Sequence, residues 1–117
     1  MVGKYEMTIH RLINGNGSSN FFLANHLRGQ GKWKESLGLF SRAQQKLETE
    51  LSGGGLMRQN RLEMMVELHR CYQILLVEAA WREHHGSYDL PLTEHDYTRK
   101  AMLLREGLES LGYPLDD

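Results

Sequence analysis

The densest set of side chains able to do chemistry lies at residues 83–96: Glu83, His84, His85, Asp89, Glu94, His95 and Asp96. Two imidazoles and a carboxylate from such a set would suit zinc or another divalent ion. The spacing argues against it. Adjacent His84 and His85 diverge by about 100° on a helix, and no His-x-x-x-His pair occurs there. Histidines at the end of a helix instead complement the negative pole of its dipole. A second candidate is Cys71, with His69 two positions earlier. Residues i and i+2 do not face each other on a helix, so Cys71 reads as a small buried hydrophobe and not as a nucleophile. Gly53-Gly54-Gly55 lacks the lysine and hydroxyl residue of a phosphate-binding loop, and no strand precedes it. No catalytic residue, metal site or cofactor is therefore expected, and the chain is not read as an enzyme.

The elements around these residues are helical. Phe21, Phe22, Leu23, Ala24 and Leu27 fall within two turns, after a breaker at residues 14–18 in which Ser18, or Ser19 just after it, offers an N-cap. Gly29 and Gly31 end this helix. Trp33, Leu37, Phe40, Ala43 or Gln44, Leu47 and Leu51 then recur at three and four, the stripe of a helix with one buried face. Small residues at Ser36 and Ala43 let a neighbouring backbone approach, so the two helices are expected to pack antiparallel, with Trp33 and Phe40 between or beside them. After Ser52-Gly53-Gly54-Gly55 a third helix is expected over about 56–85. Leu62, Met65, Leu68 or His69, Tyr72, Leu75 or Leu76, and Ala79 form its core stripe, widened by Met64, Cys71 and Trp81. Its length predicts that it overhangs its neighbours or breaks. Thr93 caps a last helix in which Tyr97, Ala101, Leu104, Leu108 and Leu111 step by four and three, before Gly112 and Pro114 stop it. Residues 4–13 read as a short helix. The expected fold is all-α: four main helices in two antiparallel hairpins, one domain over 1–117.

The segment 17–50 resembles a tetratricopeptide repeat, a helix–turn–helix of about 34 residues. Leu23-Ala24 stand at its leucine–glycine pair, Leu27 at its first aromatic and Gly31 at its turn glycine. Trp33, Ser36, Phe40 and Ala43 stand at the following aromatic, small, aromatic and alanine positions. Asn20 replaces the usual tryptophan, and no proline closes the unit near Glu48. Residues 93–112 resemble it weakly: Asp96-Tyr97 match Lys32-Trp33, Leu104 matches Phe40, Gly107 matches Ala43 and Leu111 matches Leu47, while Lys100 is a poor match for Ser36. The resemblance implies a protein-binding module whose apolar helical groove accepts a partner's helix or extended segment. Phe22, His26, Trp33, Met64, Tyr72 and Trp81 are the expected partner-binding residues. Such repeats normally need about three copies to bury their apolar faces, so a partner protein or a second copy of the chain is expected to cover what two leave open.

Composition agrees. The 117 residues are 40% hydrophobic and 25% charged, with a formal charge of −1. That lacks the basic excess of a nucleic-acid binder, which leaves a small helical regulator of nucleic acid or a transcription component as the alternative function. The longest uninterrupted apolar run, residues 74–77, is far short of a membrane span. A single cysteine and a start without a continuous apolar stretch suit a reducing compartment, the cytoplasm.

Overall fold

Among the described residues four helices follow one another: α1 (Gly17–Gly29), α2 (Trp33–Ser52), α3 (Arg58–His84) and α4 (Glu94–Ser110). The computed structural model describes residues 15–113 and 115, and no strand occurs among them. The short helix expected over 4–13 lies outside the described residues, as does Pro114. Helix existence follows the apolar periodicity, and the ends follow local chemistry. Asn16, and not Ser18 or Ser19, caps α1, its Oδ1 accepting from the Ser19 N–H at 2.9 Å. The helix starts two or three residues early because Gly17 is already helical and tightly packed. Residues 30–32 reverse the chain, with Gly31 at φ +79°, which only glycine adopts without strain. Thr93 caps α4 in a capping box with Asp96, the Thr93 hydroxyl accepting from the Asp96 N–H at 3.2 Å.

Each helix packs on the next, and α1 also touches α3. The first pair is antiparallel, because the start of α1 is fastened to the far end of α2. The Gly17 N–H donates to both oxygens of Glu50 (3.1 and 3.2 Å), and Lys46 Nζ donates to the Gly15 carbonyl at 2.6 Å. A carboxylate at that position also complements the positive pole of α1. Small residues let the pair close: Ala24, Ser36 and Ala43 are fully or nearly fully buried. Gly17 sits so near α2 that a β-carbon there would lie 2.6 Å from Leu47 Cγ and 2.9 Å from the Leu47 backbone nitrogen. The second pair is antiparallel as well, with Glu83 of α3 beside the start of α4 and Met65 beside Gly107 near its end. The molecule is therefore all-α, built as two helical hairpins joined through α2 and α3.

The core gathers Ala24, Phe40, Leu47, Leu75, Tyr97 and their neighbours from all four helices. Leu23 and Leu108 are also buried. Phe21 meets Phe40 edge to face at 6.0 Å between centroids. Two corrections to the expected packing matter. Trp33 is 57% exposed, whereas Phe40 is fully buried. Trp33 is the first residue of α2, beyond the last turn of α1, so no neighbouring helix covers it. Leu37 and Leu51 are only partly buried, because they lie at the margins of the stripe. The third helix is 27 residues long and unbroken, about 40 Å at 1.5 Å per residue. It overhangs at both ends, leaving residues 58–61 and 83–85 exposed.

Candidate partner-binding surface

The middle of α3 and the exposed start of α2 together shape an apolar surface beside the first hairpin. Along α3, Arg70, Ile74, Val77 and Trp81 step by four, three and four, so they share one stripe. That stripe lies about 140–180° around the helix from Tyr72 and Ala79 at 100° per residue. Across from it stand Arg28 at the end of α1 and Trp33 and Leu37 at the start of α2. The sides enclose a groove of about 310 Å³. Val77 is 70% and Trp81 57% exposed, far more than core residues of their type. A second groove of about 370 Å³ continues past Leu37, bounded by Lys34, Arg82, Leu90 and Pro91. Leu37 borders both, and the two adjoining grooves along the α2–α3 seam are together called the furrow.

The charges of the furrow are unevenly used. Arg82 Nε donates to Glu78 Oε1 at 2.9 Å, and Arg82 also pairs with Asp89. The Arg82 side chain is only 18% exposed, so the Glu78–Arg82 pair is half-built into the wall. Arg28 lies over the Trp33 ring at 5.4 Å, a cation–π contact. No ion pair engages Arg28, Lys34 or Arg70 among the described residues. The furrow thus offers apolar side chains beside three cations, in a chain whose formal charge is −1.

Of the residues expected to bind a partner, Trp33 lines the furrow and Trp81 continues its α3 stripe. Trp81 is stacked on His85 at 4.1 Å and 22°. Phe22 (64% exposed) and His26 lie on a different side of α1, and His26 Nε2 meets Gln30 Nε2 at 3.2 Å. Met64 is partly buried against the core. Tyr72 is 4% exposed and thus not available at the surface. Its hydroxyl donates to Glu48, which also accepts from Lys100 Nζ at 3.1 Å and Gln44 Nε2 at 3.3 Å. Burial, then the Glu48 hydrogen bond and charge, hold the Tyr72 phenol well above its ordinary range. Tyr72 faces inward because it lies on the core stripe with Leu68, Leu75 and Ala79. Arg28, Arg70, Ile74 and Val77 line the groove in addition to the expected residues, and the 70–74–77–81 spacing is the sequence signal for the α3 side.

The polar cluster at residues 83–96 disperses. His85 stacks on Trp81, Asp89 pairs with Arg82, and Asp96 accepts from Thr93. The Thr93 hydrogen bonds hold the Asp96 carboxyl below the usual range. No three His, Cys, Asp or Glu side chains converge as a metal site would require among the described residues. Cys71 is fully buried, and burial pushes its thiol far up, with Glu67 and Glu48 nearby adding to the effect. That is the environment of a protonated, inert thiol. No helix among the described residues is long and apolar enough to cross a membrane. Compared with known proteins, the chain matches no family model, no curated protein and no solved structure.

Proposed function

We propose that this chain is a tetratricopeptide-like protein-binding module, an adaptor, small chaperone or assembly factor of the cytoplasm that acts by binding and not by catalysis. The occupant of its furrow is a segment of a partner protein. One observation carries this reading: exposed Trp33 and Val77 and partly buried Ile74 stand beside Arg28, Lys34 and Arg70, cations that form no ion pair among the described residues. A segment that complements this surface sets an apolar side chain against Trp33 and Val77 and carboxylates towards the cations. Aromatic and arginine anchors of this kind are enriched among residues that dominate binding energy, and unlike charges across an interface speed association and select partners. The small residues that close the first hairpin support the resemblance to a repeat. They also keep that seam shut, which leaves the α2–α3 seam as the place for a guest.

Site-specific photocrosslinking tests this. A benzophenone amino acid at Val77 is expected to give discrete protein adducts in a cell extract, at several times the yield of the same probe at exposed Gln45 on α2. The adducts should disappear with Trp33→Ala and weaken with Arg70→Glu. Equal yields at the two positions would sink the proposal. Adducts consisting of nucleic acid, lost steeply as salt rises, would replace it with the regulator of nucleic acid.

A further inference from the structure

The outward face of α4 carries a pattern that no ion pair among the described residues uses. Tyr97, Ala101, Leu104 and Leu108 turn to the rest of the molecule. On the opposite side His95, Arg99, Met102, Leu103 and Glu106 form one stripe along a shallow groove of about 230 Å³. At 100° per residue the centres of the two stripes are about 170° apart. Met102 and Leu103 are 58% and 60% exposed, unusual for large apolar side chains side by side on a soluble helix. Arg99 and Glu106 flank them and form no ion pair among the described residues. They cannot pair with each other, since seven residues of helix separate them by about 10 Å.

We infer that α4 pairs with α4 of a second copy of this chain, antiparallel, about a two-fold axis passing between Met102 and Leu103. In that register residue i faces residue 205 − i of the other copy. Met102 then meets Leu103 of the other copy, and Arg99 meets Glu106 of the other copy, twice over by symmetry. An isologous contact needs a patch complementary to itself, and this stripe meets the need with its apolar pair at the centre and one charge of each sign at equal distances on either side. Steps of four and three between 95, 99, 102 and 106 suit antiparallel helices crossing near 20°. The contact is independent of the furrow, which lies on α1–α3. A single helix pair is at the small end of protein interfaces, so the dimer is held in a concentration-dependent equilibrium.

Sedimentation equilibrium of the full chain over a wide concentration range tests this. The wild type is expected to dimerise in the micromolar range. Arg99→Glu and Glu106→Arg each set like charges across the axis and should raise the dimer Kd about tenfold. The double variant R99E/E106R restores both pairs and should recover the wild-type value. Leu103→Cys gives an independent readout, because Cys71, the other thiol, is buried. Mild oxidation should link it covalently to its symmetry mate, while Thr49→Cys on exposed α2 stays unlinked. Helical circular dichroism checks that each variant folds. A wild type that stays monomeric up to about 0.5 mM would overturn the inference. So would a dimer indifferent to the single reversals, or one that the double variant does not rescue.

Discussion

Two seams meet on α2 and are built differently. Against α1, the helix presents Ser36, Ala43 and Leu47, and Gly17 and Ala24 press onto it. Against the middle of α3 it presents Trp33 and Leu37 and leaves a furrow. Small side chains draw two backbones together until no volume remains; large ones at the edge of a stripe hold them apart and remain partly wet. The first seam supplies stability, and the second supplies accessible apolar surface next to unspent charge. This division explains how so short a chain can hold a fixed hairpin and still expose two tryptophans.

The contrast predicts a graded set of outcomes. The largest belongs to the closed side. Phe40→Ala empties a fully buried site and should lower unfolding free energy by about 3–5 kcal/mol, measured by denaturant titration. A loss below about 1 kcal/mol would show that the seam collapses to fill the hole. Next comes a pair of glycines. Gly17→Ala forces a β-carbon onto Leu47 and should cost about 1–3 kcal/mol. Gly38→Ala, inside α2 on the furrow side with nothing within 4 Å, should instead stabilise by about 0.5–1 kcal/mol. If both changes act in the same direction, the two seams are not the different structures described here. Ser36→Ala is smaller again. The Ser36 hydroxyl is buried with no hydrogen-bond partner among the described residues, so removing it should stabilise by up to about 1 kcal/mol. A destabilised variant would mean that the hydroxyl is bonded after all.

A pH-dependent prediction concerns the polar contact between α1 and α3. Ser18 Oγ donates to Glu67, and burial, opposed by that bond and reinforced by Glu63 and Glu50, raises the Glu67 carboxyl above its ordinary value of 4.5. A raised native pKa means that the folded state holds the proton more tightly. Stability from this group is therefore present below pH 4.5 and is lost as pH rises through the raised value. Glu67→Gln keeps the Ser18 bond and should remove the loss. Its stability gain over wild type should be greater at pH 7.5 than at about pH 4.5, read by denaturant titration at both. An unchanged gap would refute the sign.

Much of this architecture was legible in residue types. Ala24, Gly31 and Ala43 at helical steps serve one purpose, close approach and reversal, and they serve it here. Thr93 followed by Asp96 is a local signal that needs no tertiary context. The furrow was harder to read. Apolar residues occur on both sides of α3, and periodicity alone does not say which stripe meets a partner: Tyr72 lies on the core stripe and is buried there, so its expected partner-binding role fails, while exposed Val77 lies on the other stripe. Trp33 shows the same limit. Its place in the stripe was right, but its cover depends on where α1 ends, which no spacing within α2 encodes. Asn16 was passed over as a cap because Gly17 looks like a breaker until its contact with Leu47 is seen.

One carboxylate has a kinetic meaning beyond its bonds. Glu48 on α2 gathers the Tyr72 hydroxyl from α3 and the Lys100 ammonium from α4. Peeling off the last helix therefore strips a counter-ion from a half-buried anion that the middle helices also rely on. Amide protons in the centres of α2, α3 and α4 should exchange through one shared opening, and Glu48→Gln should split that single event into separate ones.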